Sequence, residues 1–158
     1  WMVAGTGCLV FRKGTLMRKE FFEAARRCAE QSDYNGASSA KIGAVAVFRR
    51  TIIARGHNQN KTHPLQQRYN IYRYDVNGNH YYPSKMHAEI ELISKIRYLD
   101  INFSEVEIYV YRETKDGRKA LARPCKACTQ ALQDLGIKKV CYTTNDGFCE
   151  ERYEDWYD

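Results

Sequence analysis

The sequence predicts an α/β fold, specifically a three-layer α/β/α sandwich with a mixed central sheet. In residues 86–143 helical and strand patterns alternate, which indicates parallel strands joined by helices that cover the sheet. Nearer the start, two strand-like runs are separated by only two residues, which predicts an antiparallel hairpin at one edge. The chain has 158 residues, of which 44% are hydrophobic, so we expect a single domain spanning residues 1–158.

The first half of the chain predicts one helix and the hairpin. Residues 16–31 repeat apolar side chains with a helical period and carry charged residues between them. Residues 42–48 and 51–54 are rich in apolar and β-branched residues and are joined by Arg49-Arg50. The first of these runs is almost entirely apolar, which favours a central strand.

A polar segment, residues 60–85, follows the hairpin and predicts a long insertion loop. It contains five tyrosines and two prolines, and Asn77-Gly78 favours a small hairpin turn within it. Long loops inside compact domains are often functional.

The second half of the chain predicts two helices and two strands in alternation. The predicted elements are a helix from residue 84 or 86 to 97, a strand at 106–111, a helix at 124–135 ending at Gly136, and a strand at 138–143. The predicted core therefore covers about residues 16–144. The polar tail, residues 150–158, is expected to be a short helix or a frayed end.

The charge of the chain is unevenly distributed. The net charge is +6, and residues 1–86 contain 14 Lys and Arg against 5 Asp and Glu, whereas residues 87–158 contain 11 against 14. This asymmetry favours an anionic partner such as a nucleotide or nucleic acid, although a solvated basic face explains it equally well. No run of about 18 apolar residues occurs, so we expect no membrane span.

Cysteine usage indicates a reducing, cytoplasmic setting. The six cysteines form no dense framework, and no signal-peptide pattern precedes them. Cys125 and Cys128 have the C-x-x-C spacing of a metal or redox site. We expect no chemical role for the other four.

Two short motifs lie at the starts of the second and third predicted helices, His87-Ala88-Glu89 and Pro124-Cys125-Lys126-Ala127-Cys128. Each is weak alone, since a C-x-x-C pair can be redox-active or simply buried. The 37 residues between His87 and Cys125 are enough for a helix, a strand and a return loop, which allows both helix starts to lie at one edge of the sheet. Together the motifs predict a three-ligand zinc site.

Three protein ligands are typical of a catalytic zinc, because the fourth tetrahedral position is left for water. Zinc lowers the pKa of such a water to about 7 and makes it a nucleophile. Glu89 is placed to take that proton and pass it on. The alternative for Glu89 is a solvated acid that stabilises the helix dipole.

Residues from about 16 to 144 resemble the cytidine/deoxycytidylate deaminase superfamily, whose signature is H-x-E followed by P-C-x-x-C. The resemblance implies a cytidine deaminase-like fold and one catalytic Zn²⁺ bound by His87, Cys125 and Cys128. It implies that Glu89 shuttles protons while the amino-bearing ring carbon is attacked and ammonia leaves. It also implies a further strand after residue 143, which is missing, short or hidden in the tail.

The same resemblance implies three substrate contacts. Asn58 would bind the sugar, although its alternative is a turn residue that stabilises its own backbone. The backbone N–H of Ala88 would contact the base. Arg123 departs from the residue types usual before the Pro-Cys pair, and it either contacts a phosphate or points into solvent.

The expected function is zinc-dependent hydrolytic deamination of a cytosine-containing nucleotide or nucleoside, of dCMP or cytidine type, to the uracil product. The deoxycytidylate branch often carries an insertion between the positions of Asn58 and His87, which favours dCMP. The alternatives are a deaminase of cytosine or adenine in single-stranded DNA or tRNA, and a catalytically silent zinc-stabilised binding domain. We also expect a homo-oligomer.

Two interpretations of the insertion stay open. Its tyrosines and its cations Arg68, Arg73 and Lys85 form a lid that stacks on a base and meets phosphates. Alternatively, the rings pack the loop onto the domain or build a subunit interface.

Overall fold

The computed structural model describes residues 9–10, 19–34, 40–73 and 85–153. The elements in chain order are β1 (Leu9–Val10), α1 (Lys19–Glu30), β2 (Lys41–Phe48), β3 (Thr51–His57), α2 (Pro64–Tyr69), a 3-10 turn (Asn70–Arg73), α3 (Ala88–Ile96), a second 3-10 turn (Phe103–Glu105), β4 (Val106–Glu113), β5 (Lys119–Ala120), α4 (Lys126–Leu135), β6 (Lys139–Thr143) and β7 (Phe148–Arg152). Within these ranges, every helix is too short or too polar for a bilayer crossing.

The strands form one mixed sheet, as predicted. Its order is β1-β7-β6-β4-β2-β3, with β5 pairing beside β4. Strands β4 and β6 run parallel and are connected through α4, which confirms the predicted crossover. The other pairs are antiparallel, including the β2–β3 hairpin at one edge. Strand β2 lies between β3 and β4, in the interior of the sheet.

Two apolar layers cover the sheet and complete the three-layer sandwich. Because side chains alternate across a strand, neighbouring residues of β2 and β4 serve opposite faces. On one face Val45 and Tyr109 pack against Phe21 and Phe22 of α1. On the other, the alternating residues of the same strands join the buried side chains of α3 and α4 in the larger core.

The predicted insertion loop is partly wrong, because residues 64–73 form α2 and a 3-10 turn. Pro64 occupies the first turn of α2, and the His63 Nδ1 atom accepts a hydrogen bond from the Leu65 N–H at 3.0 Å, which caps the helix. A helix of six residues shows too little apolar periodicity to be recognised in sequence. The turn expected at Asn77-Gly78 lies outside the described residues.

The prediction of a helical or frayed tail from residue 150 is also wrong. Residues Phe148–Arg152 form β7, which pairs antiparallel with β6 and extends the core beyond residue 144. Cys149 is disulfide-bonded, so the expectation that it has no chemical role is wrong too. Glu150 and Glu151 are buried in this strand. Because acidic residues are usually exposed, the sequence pattern does not indicate a buried strand here. Residues 154–158 lie outside the described part of the chain.

Candidate active site

Both motifs lie at the edge of the sheet where β4 and β6 end. The Ala122 N–H, in the segment leading to α4, donates to the carbonyl of Thr143 at the end of β6. The Gln59 N–H, just after β3, donates to the carbonyl of Met86, which precedes His87. Because β2 is antiparallel to both β3 and β4, the ends of β3 and β4 share this edge. The carboxyl ends of the sheet strands therefore collect the residues that carry chemistry.

His87, Cys125 and Cys128 come together as the sequence predicts. The His87 Nδ1 atom lies 3.6 Å from the Cys125 sulfur and 3.4 Å from the Cys128 sulfur. All three ligand atoms lie within 4.8 Å of one another. A tetrahedral zinc with ordinary Zn–N and Zn–S bonds separates its nitrogen and sulfur ligands by about 3.6 Å. The donor set and its spacing therefore fit one zinc ion.

The two helix starts position these ligands. His87 is the N-cap of α3 and Cys125 is the N-cap of α4, so both are in extended conformation just before the first helical residue. Cys128 lies one turn into α4 and is fully buried. Thiolates are stabilised at a helix N-terminus, where the macrodipole is positive.

The protonation of the cluster reflects strong coupling among its members. A hydrogen bond from the Cys128 thiol, with further help from His87, lowers the pKa of Cys125 to about 3. Cys128 serves as the donor to that thiolate and is buried, so its own pKa is raised. Burial lowers the pKa of His87, but the hydrogen bond to Cys125 together with the negative charges of Cys125 and Glu89 outweighs burial, so the net shift is upward. The contacts within the cluster therefore favour the thiolate form at Cys125 over that at Cys128.

Glu89 lies in the first turn of α3 and is only 5% exposed. Burial raises its pKa to about 7, although the positive charge of His87 opposes that shift. Its charge also interacts with those of Cys125 and Cys128. The alternative of a solvated first-turn acid is therefore wrong for this residue. A buried carboxyl group with a pKa near neutrality suits proton transfer in both directions.

Asn58 lies just after β3 and is buried. Its Oδ1 atom accepts from the Ile42 N–H at 3.0 Å and from the Ser32 hydroxyl at 2.5 Å, and its Nδ2 atom donates to the Ala40 carbonyl at 3.0 Å. These bonds join the end of β3 to the start of β2. The amide of Asn58 therefore has a structural role whether or not it also meets a substrate.

Ala88 and Arg123 flank the ligand cluster in the chain. Ala88 is the first residue of α3 and is fully buried next to His87. Arg123 precedes Pro124 and forms a bidentate ion pair with Glu151 of β7, with nitrogen–oxygen distances of 3.0 and 3.1 Å. Its guanidinium group thus meets a carboxylate of the same chain rather than pointing freely into solvent.

The insertion reaches the cluster directly. The Arg73 Nη1 atom lies 3.5 Å from the His87 Nε2 atom. A cavity of about 360 Å³ lies between the insertion and the start of α4, and it is lined by Tyr72, Arg123, Pro124, Lys126, Thr129 and Gln130. Arg68 instead lies over the Tyr69 ring, and Lys85 lies over the Tyr34 ring.

One residue that contacts the ligand cluster was missed by sequence reasoning. The Oε1 atom of Gln66, in α2, accepts a hydrogen bond from the backbone N–H of His87 at 3.0 Å. Gln66 is fully buried, which is unusual for a glutamine. No sequence pattern marks it, because its partner is 21 residues away and is a backbone group.

Comparison with known proteins agrees with this site. The cytidine and deoxycytidylate deaminase zinc-binding region matches residues 17–144. Among solved structures, the cytidine deaminase of Burkholderia pseudomallei is 20% identical, with a TM-score of 0.56 over 85% of this chain and 91% of that chain. The dCMP deaminase of cyanophage S-TIM5, in complex with dCMP and dUMP, is 18% identical, with a TM-score of 0.53 over 84% and 83%. None of the curated proteins compared with the chain matches it.

At these identities the solved structures show a shared fold. The family match covers most of the chain, including both motifs and every proposed zinc ligand. The chain therefore belongs to the cytidine and deoxycytidylate deaminase zinc-binding family.

Proposed function

We propose that this chain catalyses zinc-dependent hydrolytic deamination of a cytosine-containing nucleotide or nucleoside, giving the uracil product and ammonia. The observation that carries the proposal is the buried Glu89 next to a ligand cluster whose donors fit zinc. The long insertion, which places the Arg73 Nη1 atom 3.5 Å from the His87 Nε2 atom, supports dCMP as the leading substrate.

His87, Cys125 and Cys128 would hold the metal, which when bound supplies a polarised water as nucleophile at neutral pH. The Glu89 carboxylate accepts a proton from that water while the C–O bond forms at the amino-bearing ring carbon. Glu89 would pass that proton to the ring nitrogen beside the reacting carbon, and would then move the second proton from the new hydroxyl group to the amino group, so that the C–N bond breaks and ammonia leaves. Burial keeps bulk water away from the carboxyl group and raises its pKa to about 7.

The proposed substrate contacts are Ala88, Asn58 and Arg123. The Ala88 N–H belongs to the first turn of α3, whose N–H groups have no partner within the helix, and it would donate to the base. Asn58 and Arg123 already have partners within the chain. Contact with a sugar or phosphate therefore requires them to share or exchange those partners.

Ammonia release tests the proposal directly. Zinc-loaded protein is incubated with dCMP, CMP, deoxycytidine, cytidine and single-stranded DNA, and zinc content is measured on the same samples. We expect turnover of at least one free cytosine compound. Stoichiometric zinc without ammonia from any cytosine compound would contradict the proposal and favour the silent binding domain. Turnover of DNA alone would favour the polynucleotide deaminase.

A matched pair of variants tests the role of Glu89. Glu89→Gln removes the proton carrier, so we expect turnover to be lost while zinc content stays at one per chain. Glu91→Gln is the control, because Glu91 lies in the same helix but contacts the His57 N–H at 2.8 Å and the Lys95 ammonium at 3.2 Å. Full activity of Glu89→Gln would refute the assigned role.

Two further expectations stay predictions. We propose that the protein acts in the cytoplasm and that it self-associates. Light scattering of the purified chain measures the self-association, and a monomer at all concentrations would contradict it.

A further inference from the structure

We propose that Gln66 is a positioning residue for the metal centre, and that the insertion helix α2 sets the geometry of His87 through it. The inference rests on the zinc site of the proposed function but not on the identity of the substrate. It gives the insertion a role that neither the lid nor the interface interpretation includes.

The amide of Gln66 has a defined orientation. Its side chain is fully buried, its Oε1 atom accepts from the His87 N–H at 3.0 Å, and its Nε2 atom donates to the Asn70 Oδ1 atom at 2.8 Å. The Asn70 Oδ1 atom can only accept a hydrogen bond, so the NH₂ group of Gln66 faces Asn70. The Gln66 oxygen then faces the His87 N–H. Asn70 is itself buried.

His87 depends on an outside acceptor for this N–H. It is the N-cap of α3, but its side chain makes no capping bond to the helix, since the imidazole faces Cys125 and Cys128. N–H groups at the start of a helix have no partner within it. Gln66 satisfies this donor with a fully buried amide oxygen, and loss of that oxygen would leave the N–H without this partner.

The residues before His87 are held from the same side. The Met86 N–H donates to the Lys61 carbonyl at 2.9 Å, and the Met86 carbonyl accepts from the Gln59 N–H at 3.0 Å. Together with the bond from Gln66, these hydrogen bonds fix the backbone of Met86 and of the ligand His87. Residues 59–61 and α2 therefore form a support, which hydrogen-bonds to the backbone of Met86 and His87 on one side of the cluster.

The support also reaches the helix that carries the two thiols. The Tyr69 hydroxyl, at the end of α2, donates to the Asp134 carboxylate of α4 at 2.8 Å. Helix α2 thus bonds to His87 at the start of α3 and to α4, the two elements whose separation sets the ligand spacing. Groups that orient metal ligands commonly change metal affinity about tenfold to hundredfold when they are removed.

Loss of zinc to a chelator tests the proposal on the full zinc-loaded chain. Gln66→Met keeps the size of the side chain but removes the acceptor, so we expect zinc to be lost about tenfold to hundredfold faster than from the unaltered protein. Gln67→Met is the matched control on the exposed side of the same helix, and it should leave the rate unchanged.

Cobalt substitution gives a second readout that packing alone does not move. The tetrahedral Co²⁺ absorption bands should shift or broaden in Gln66→Met and stay unchanged in Gln67→Met. If Gln66→Met lowers thermal stability equally with and without metal, while zinc loss and the cobalt spectrum match those of the unaltered protein, Gln66 only fills space and the proposal is overturned.

A second variant covers the case in which Gln66→Met does not fold. Asn70→Ala removes the acceptor that orients the Gln66 amide, so faster zinc loss is expected again. An unchanged rate in Asn70→Ala would overturn the proposal. Both readouts report metal binding, so a protein that holds zinc but deaminates nothing still tests this inference separately from the proposed function.

Discussion

Gly56→Ala probes how closely α3 must approach the sheet for the metal ligands to meet. Gly56 lies in β3, and a Cβ atom added there would lie 2.7 Å from the carbonyl oxygen of Ala88, the residue after His87. Ordinary van der Waals contact begins near 3.4 Å, so the start of α3 must move by about 0.7 Å. Functional sites tolerate displacements of only about 0.5 Å.

Two effects are expected from this displacement. Overpacking should lower the free energy of unfolding by about 1–3 kcal/mol, and zinc should be lost to a chelator faster because the His87 backbone moves with the helix. Urea unfolding and chelator kinetics measure the two effects. Gly147→Ala is the matched control, since nothing in the described part of the chain lies within 4 Å of a Cβ added there. A Gly56→Ala protein as stable as the unaltered one and with the same rate of zinc loss would refute the reasoning.

Three further tests, each based on one or two substitutions, use urea unfolding. Lys139→Met should lower the free energy of unfolding by about 1–3 kcal/mol, because the buried ammonium pairs with the Glu107 and Glu150 carboxylates at 2.7 and 3.2 Å, and Glu150 would then rely on the more exposed Arg152 at 3.4 Å. An unchanged free energy of unfolding would contradict this. Arg123→Gln should cost about 1–3 kcal/mol, because the buried Glu151 would lose its ion pair and keep the longer hydrogen bond from the Tyr142 hydroxyl at 3.3 Å. Adding Glu151→Gln should recover most of this cost, and simple additivity of the two changes would argue against the pair. The double substitution Arg49→Asn and Arg50→Gly should stabilise the hairpin by about 1–2 kcal/mol. Both arginines have positive φ angles, 50° and 66°, which Asn and Gly adopt more easily. An unchanged free energy of unfolding would show that the turn is unstrained.

The zinc ligands and their helices could be predicted because their signals are local. His87 and Cys125 each stand directly before a run with a helical apolar period, and Gly136 ends α4 in the left-handed conformation, with φ of 103°. Periodicity and capping residues act within a few positions, so the sequence alone reveals them. The mixed sheet follows from the same local patterns.

The missed features depend on partners far along the chain. Strand β7 contains two acidic residues that resemble a solvated tail until Lys139 and Arg123 are seen to neutralise them. Gln66 in a polar segment resembles a loop residue until the His87 N–H is found beside it. In both cases, burial of a polar group is decided by a non-local partner, which no window of neighbouring residues contains.

Among the described residues, part of the positive charge of residues 1–86 is already paired with acids of the same chain. Arg26 pairs with Glu23 and Glu30 within α1, and Arg49 pairs with Glu105 at the hairpin, beside the amino end of β4 and away from the metal cluster. Arg73, by contrast, lies 3.5 Å from the His87 ring. Charge acts on a ligand over a distance of about 10 Å in salt, so position decides which cations matter. A preference for dCMP over deoxycytidine would therefore be traced to the insertion, whose helix also supports His87, and not to the net charge of the chain.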